Sequence, residues 1–471
     1  MTDSDAFDLV VIGAGPGGET AAVTAARLGK RVALIEKAPF VGGAAVNTGT
    51  LPSKTLRETA LALSGLRSRD LYGVDLSLGR DATIDDVLRH ERTIKAAHRE
   101  QIRGLLTRYG VELVHGAARF AGPHTVRVAG AGGERDLTAD KIVVATGSVP
   151  LRPPGFPFEH TRVHDSDELL DLHQMPRSIA VVGAGVIGSE YACMFAALGV
   201  ETHLVDGRDA LLPFLDADLS AALEAGMRRL GVRFVWGETV ASCDAPPEGD
   251  VRLGLSSGGT LVTHHVLICA GRTSRTAELD PAAAGLDVAP KGRLAVNAQF
   301  QTNVPHIYAV GDVIGFPALA STSAEQGRAA AGHAFGEPCR GPVAPVLPTG
   351  IYTIPEVSSA GATEAELRAQ GVEFLVGRAE YADVARGKII GDAAGFLKLL
   401  FRRSDRKLLG AHVIGELASE VVHIGVLTLM TGAGADLLLQ TCFNHPTLGE
   451  LYKLATHDAL LRERTGAAPG R

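Results

Sequence analysis

The strongest constraint on this chain is a short pattern that occurs twice. The apolar, β-branched run Phe7 to Ile12 stops at Gly13-x-Gly15-x-x-Gly18, an alanine-rich stretch follows to Gly29, and Lys30 to Glu36 is apolar again and ends on an acid. Ser178 to Val182, Gly183-x-Gly185-x-x-Gly188, Ser189 to Gly199 and Glu201 to Asp206 repeat the order. Each copy reads strand, glycine turn, helix, strand, the size of one βαβ crossover unit. In such a turn Gly13 and Gly183 permit the tight bend. Gly15 and Gly185 let the backbone approach a pyrophosphate, and Gly18 and Gly188 let helix and strand pack closely. Glu36 and Asp206 are placed to accept hydrogen bonds from ribose hydroxyls. One such motif is a weak signal, whereas two, each in its full context, predict two dinucleotide sites in an α/β chain.

The nicotinamide cofactor is left open at this level. Asp206 favours a free ribose 2′-hydroxyl and hence NAD, while Arg208, two residues on, is positioned to pair with the extra phosphate of NADP. With 471 residues, several domains are expected. A proline cluster (Pro150, Pro153, Pro154, Pro157) and a second proline-rich stretch from Pro342 to Pro348 mark stiff connectors. They divide the chain into 1–150, the first nucleotide unit; 151–271, the second; 272–342, a central segment returning to the first; and 343–461, an α+β domain. Residues 462–471 read as a disordered tail. Thr83 to Tyr109 has helical periodicity and Val111 to Val128 reads as short strands.

A net charge of -7 with interspersed basic residues gives no stripe for nucleic acid, and the run Arg402, Arg403, Arg406, Lys407 reads as a solvated turn. No apolar run reaches membrane-spanning length and the N-terminus lacks a secretory pattern, so a cytoplasmic protein is expected. The five cysteines, Cys193, Cys243, Cys269, Cys339 and Cys442, form no close pair, which argues against a zinc or local redox site and for small buried hydrophobes; no metal is expected.

The stretch Gly42-Gly43-Ala44-Ala45-Val46-Asn47-Thr48-Gly49-Thr50-Leu51-Pro52-Ser53-Lys54, with Ala145-Thr146-Gly147, Ala309-Val310-Gly311-Asp312 and His445-Pro446-Thr447, resembles the lipoamide dehydrogenase and glutathione reductase superfamily from Phe7 to about Leu461. The resemblance implies FAD at the first unit, NAD(H) or NADP(H) at the second, a C-terminal interface domain and a homodimer. It also implies an ion pair of Lys54 and Glu190 beside the flavin, Asp312 on the ribityl chain, and Gly43 and Ala318, Leu319 and Ala320 lining the flavin. Thr146 and Gly147 fall on the FAD phosphate and adenosine side, with Ala118 at the adenine; Gly271 and Arg272 fall near the nicotinamide nucleotide.

In that superfamily two cysteines relay electrons to a disulfide; here Ala45 and Thr50 stand at their positions, so no thiolate is available for exchange. Within the superfamily the chain is most similar to the soluble pyridine nucleotide transhydrogenases, through Asn47 to Arg57, Ile354 to Ser358 and Cys442 to Thr447, and these also carry threonine at the Thr50 position. That implies hydride exchange between nicotinamides through flavin, a proximity effect at the cofactors. His445, oriented by Glu450 and reaching a partner subunit, has no dithiol to serve. It remains either a general acid for a quinone-like acceptor or a packed interface residue. The alternatives are an NAD(P)H:quinone reductase or diaphorase, a biosynthetic flavoenzyme for a specialised small molecule, and a flavoprotein kept for binding alone.

Overall fold

The computed structural model describes residues 5–65, 83–337, 343–392 and 394–465; the expectations placed on Met1 to Ser4, Cys339, Pro342 and the last six residues lie outside the described residues. Strand Ala6–Ile12 is buried along most of its length, as a parallel strand covered on both faces must be. It pairs in parallel with Val32–Glu36, Leu9 opposite Val32, and with the end of Gly133–Val144, Ile12 opposite Val144. Glu112–His115 extends the sheet on one side and Ile307–Ala309 on the other. The first half of Gly133–Val144 bends away into an antiparallel meander with Ala117–Gly122 and Thr125–Gly130.

Between leaving this sheet at Val144 and rejoining it at Ile307, the chain builds a second sheet. Its five parallel strands lie in the order Val232–Trp236, Glu201–Asp206, Ser178–Val182, His265–Ile268, Val163–Asp165. The outgoing and returning legs run side by side, Ser148–Pro150 antiparallel to Arg272–Ser274. A third, antiparallel sheet follows (Thr349–Ile351, Val357–Gly361, Leu408–Ile414, Phe396–Arg402, Phe374–Glu380), covered by Ala418–Met430 and Glu450–Thr465. Two Rossmann-like units and a C-terminal α+β layer are the fold class the sequence implied.

Local chemistry sets the element ends. Thr83 caps helix Ile84–Arg108: its hydroxyl accepts from Asp86 N–H while the Asp86 carboxylate accepts from Thr83 N–H at 2.9 Å. The second crossover helix begins at Val186 rather than Ser189, because the last glycine of the turn already sits in its first turn. The tail reading needs correction as well. Helix Glu450–Thr465 continues past Leu461, with Arg462 held by Asp458 one turn back at 2.8 Å. The basic run after Phe401 is an exposed turn, as expected, with Arg402 on Asp405 and Arg406 on Glu463.

The second sheet is tied to the third by one buried cation. Lys398 Nζ meets Asp216 and Glu364 at 2.9 Å and Asp218 at 2.5 Å. Burial opposes that charge, yet the carboxylates prevail and hold the ammonium above its usual range. Among the described residues no helix is long and apolar enough to cross a membrane.

Candidate active site

The two glycine turns are sterically alike. Gly13 and Gly183 take φ of +104° and +107°, and a Cβ on either would overlap a carbonyl oxygen of the neighbouring strand end, Ala145 or Cys269. A Cβ on Gly18 or Gly188 would overlap the carbonyl oxygen of Gly13 or Gly183. The middle glycines differ in kind: a Cβ on Gly15 would meet only the Gly43 Cα at 3.8 Å, and one on Gly185 nothing within 4 Å. Outer glycines are thus required by packing, whereas the middle ones keep a path open. The terminal acids close each turn alike, Glu36 accepting from Ala14 N–H at 2.9 Å and Asp206 from Ala184 N–H at 2.6 Å.

A cleft of about 960 Å³ runs from the first turn to the C-terminal layer. At its outer end lie Glu36 and Ala118; Gly13, Gly15, Gly43, Thr146 and Gly147 form its waist. Its inner end carries Ala45, Thr50, Lys54, Glu190, Arg272, Asp312 and Ala318 to Ala320. An elongated cleft with one open glycine path fits a dinucleotide, and a second observation agrees: the Tyr191 hydroxyl, on the cleft wall, is buried without a hydrogen-bond partner. The residues present fit FAD. Gly18 packs behind this surface, and Gly183, Gly185, Gly188, Asp206, Arg208 and Gly271 lie away from the cleft lining, on the second unit.

Two polar networks order the inner end. Lys54, in helix Thr50–Leu63, donates to both Glu190 oxygens at 3.0 and 2.7 Å, although Glu190 belongs to the second unit's crossover helix Val186–Ala197. Glu190 is buried and also accepts from Tyr352 N–H at 2.9 Å, while Lys54 Nζ sits 4.8 Å from the Tyr352 ring centre. One carboxylate therefore joins both nucleotide units and the C-terminal layer. In the second network Ser148 donates to Asp312 at 2.7 Å and accepts from Arg272 Nε at 2.8 Å, and Arg272 also meets Asp167 at 3.2 Å. Arg272 thereby sits in the first unit's cleft beside Asp312. The Thr146 hydroxyl donates to the Arg275 carbonyl at 2.7 Å, so at this point Thr146 offers the cleft its backbone.

On the second unit, Asp206 and Arg208 form a closed fork, Nε to Oδ1 at 2.8 Å and Nη2 to Oδ2 at 2.7 Å. The hydrogen bonds from Arg208 hold the Asp206 carboxyl down to about 2, against the opposing effect of burial. Asp206 is mostly buried, but Arg208 is 46% exposed at the rim.

His445 pairs with Glu450, Nδ1 to Oε1 at 2.9 Å, and is 69% exposed on the C-terminal layer, outside its own chain's cleft. That hydrogen bond holds the Glu450 carboxyl below its usual range. Among the described residues no cysteine lines the cleft. Cys193 and Cys269 have thiols pushed up to about 12 by burial and Cys243 to about 11, but Cys442 is exposed, which corrects the expectation of buried cysteines throughout. Sequence reasoning missed Tyr352, Ser148, Asp167, Tyr191 and Arg99 as cleft residues. Only Tyr352 carried a signal, lying just before the Ile354 to Ser358 stretch.

Residues 7–327 match the family described as pyridine nucleotide-disulphide oxidoreductase, and residues 347–456 match its dimerisation domain. A soluble pyridine nucleotide transhydrogenase of Mycobacterium bovis is 47% identical over 97% of this chain and 98% of its own length. One of Aliivibrio fischeri is 41% identical over 97% of each. Among solved structures, LpdA of Mycobacterium tuberculosis superposes with a TM-score of 0.88 at 28% identity, covering 95% of this chain and 99% of that one. The flavoprotein disulfide reductase RclA of Escherichia coli gives 0.86 at 27%, covering 96% and 99%. The cleft that fits FAD, the second nucleotide turn beside it and these matches together identify the chain as a member of the pyridine nucleotide-disulphide oxidoreductase family, an FAD-dependent oxidoreductase that uses pyridine nucleotides.

Proposed function

We propose that the chain is a transhydrogenase that moves a hydride between NADP(H) and NAD(H), converting NADPH and NAD⁺ to NADP⁺ and NADH or the reverse. The carrying observation is the composition of the cleft's inner end. Ala45 and Thr50 line it where a disulfide reductase needs thiols, while the Lys54–Glu190 pair that joins the two nucleotide units is complete. Bound FAD supplies the hydride-relay chemistry. The protein's part is placement: Glu190 holds Lys54 at the inner end, Asp312 is oriented by Ser148 for the ribityl hydroxyls, and the helix face of Val186 and Glu190 presents the nicotinamide. The glycines, Glu36, Ala118, Thr146, Gly147 and Ala318 to Ala320 hold the rest of FAD by backbone and ribose contacts.

Both nicotinamide cofactors are read at one place. With NAD(H), Asp206 accepts from the ribose; with NADP(H), Arg208 leaves Asp206 and pairs with the 2′-phosphate, a swing its rim exposure allows. The curated relatives carry the same function in their names, and the word soluble there supports a cytoplasmic enzyme. The functional unit is a homodimer, supported by the dimerisation-domain match, in which His445 and Glu450 face the partner. The proposed division is 1–150 and 272–342 for FAD, 151–271 for NAD(P), and 343–461 for the interface.

The test is steady-state turnover with NADPH as donor and thio-NAD, a quinone, lipoamide or glutathione disulfide as acceptor. Rapid reduction of thio-NAD with no disulfide turnover is expected. Disulfide turnover, or a quinone consumed while thio-NAD is not, would overturn the reading.

A further inference from the structure

Five cationic side chains, Lys37, Lys54, Arg99, Arg272 and Arg275, line the flavin cleft. Lys37 is closed on Glu278, Lys54 on Glu190 and Arg272 on Asp167. Arg99 and Arg275 show no ion pair with a carboxylate among the described residues, and of these two Arg99 has its guanidinium fixed in place. It lies on helix Ile84–Arg108, donates from Nε to Asn47 Oδ1 at 2.7 Å, and stacks with Cζ 3.8 Å from the Phe40 ring centre. Asn47 in turn donates through Nδ2 to the carbonyls of Val41 at 3.0 Å and Gly43 at 2.8 Å, closing the loop that carries Gly43. Gly43 packs directly on Gly15 at the waist of the cleft, where a Cβ on Gly43 would lie 2.7 Å from the Gly15 Cα. The cation is therefore held in the cleft wall by an amide that also fixes Gly43, one of the two glycines packed together at the waist.

A guanidinium so placed is partly desolvated without a counter-charge. Burial lowers its pKa, Glu91 opposes that, and Arg103 adds to it. Glu91 is itself taken by Lys95 at 2.7 Å. The missing partner is thus an anion brought by a ligand. In oxidised FAD the adenine, ribose, ribityl chain and isoalloxazine are neutral; the pyrophosphate holds all the negative charge. We propose that Arg99 is the counter-charge for the FAD pyrophosphate, presented by Asn47 and Phe40 to the waist formed by Gly15 and Gly43. A planar fork suits a phosphate better than an ammonium does. This inference depends on the flavin and not on which acceptor takes the hydride, so it stands or falls separately from the transhydrogenase reading.

The test is the rate at which holoenzyme releases FAD on dilution, followed by recovery of free-flavin fluorescence over a range of ionic strength. Arg99→Gln should release FAD about tenfold faster than wild type and with a shallower salt dependence, because the charge that salt screens is gone. Arg99→Lys should fall between them. Arg92→Gln, which removes a charge from an exposed position of the same helix, should behave as wild type. A release rate for Arg99→Gln within twofold of wild type at every salt concentration would overturn the assignment. So would Arg99→Lys no slower than Arg99→Gln, or equal acceleration by Arg92→Gln. If Arg99→Gln does not fold, Arg99→Lys against wild type gives the same reading: faster release supports the proposal, an unchanged rate refutes it.

Discussion

The two glycine units make one turn in two settings. In both, the outer glycines are forced by carbonyl oxygens behind them, the middle glycine stands clear, and the terminal acid accepts from the amide after the first glycine. Around Glu36 the contacts are backbone ones: it is buried, accepts from Ala14 and Ala38 N–H groups, and pairs with no cation among the described residues. Around Asp206 a guanidinium occupies both carboxylate oxygens and is itself 46% exposed to solvent. The first unit's sheet is completed by the returning strand Ile307–Ala309, its crossover helix is covered by Ala320–Ala334, and the C-terminal layer lines its cleft, whereas Arg208 beside the second acid is exposed. The contrast is that of a resident cofactor and a visiting one. On the proposed function, the closed acid serves a ligand that stays, and the acid paired with an exposed arginine serves ligands that differ by one phosphate.

Blocking the two middle glycines gives the largest and cleanest separation. Gly15→Val should yield protein without flavin, whereas Gly185→Val should retain FAD and raise KM for both nicotinamide nucleotides, on the order of 100-fold, the scale of losing several phosphate contacts; flavin absorbance and steady-state kinetics decide. Flavin loss from Gly185→Val would erase the distinction between the units. Next is the link between them. Glu190→Gln keeps the shape but removes the charge that fixes Lys54, and the exchange rate should fall about 10- to 100-fold with FAD content unchanged, as expected when one oriented charge is lost from a cleft.

The rim pair predicts a smaller, directional change. Arg208→Ala should raise KM for NADP(H) about tenfold and leave NAD(H) within about threefold, while Asp206→Ala should weaken NAD(H) and help NADP(H). An unchanged ratio in both variants would remove this pair as the selector.

Acid should loosen the second unit. His164 and His265 join its two adjacent strands through a buried hydrogen bond of 2.9 Å. Burial lowers them to about 4 and about 3, and mutual repulsion lowers His265 further. Because these folded values lie below that of an unfolded histidine, the unfolded chain binds more protons in between. The contribution is full above about pH 6.5 and is lost progressively as the pH falls through 4 toward 3. His265→Gln should flatten the fall in Tm over that range; an equally steep fall would remove the histidine pair as its source.

How much of this was legible in the sequence follows from how local each cause is. The glycine turns were readable because their clashes involve atoms near in sequence or on the next strand. The strands Ser178–Val182 and Glu201–Asp206 were placed to the residue, the first because a buried parallel strand reads as an apolar run, the second because it ends on the acid that the glycine turn calls for. The helix beyond Leu461 was missed because its charged surface resembles a tail until the Asp458 to Arg462 pair is seen. Lys54 and Glu190, 136 residues apart, came from family likeness, and no pattern marks their meeting or the third partner at Tyr352. Arg99 looked like any charge on an amphipathic helix; only the fold stacks it on Phe40. Cys442 read as buried because composition says nothing about which face of a loop points outward.

The central claim is that the flavin is the sole store of electrons in the subunit. Anaerobic titration of the holoenzyme with dithionite, followed by flavin absorbance, tests it most directly. Complete bleaching by a single two-electron equivalent per flavin, with restoration of the oxidised spectrum on adding thio-NAD, is the predicted result. A second equivalent consumed per flavin, with a long-wavelength thiolate-to-flavin band, would contradict it.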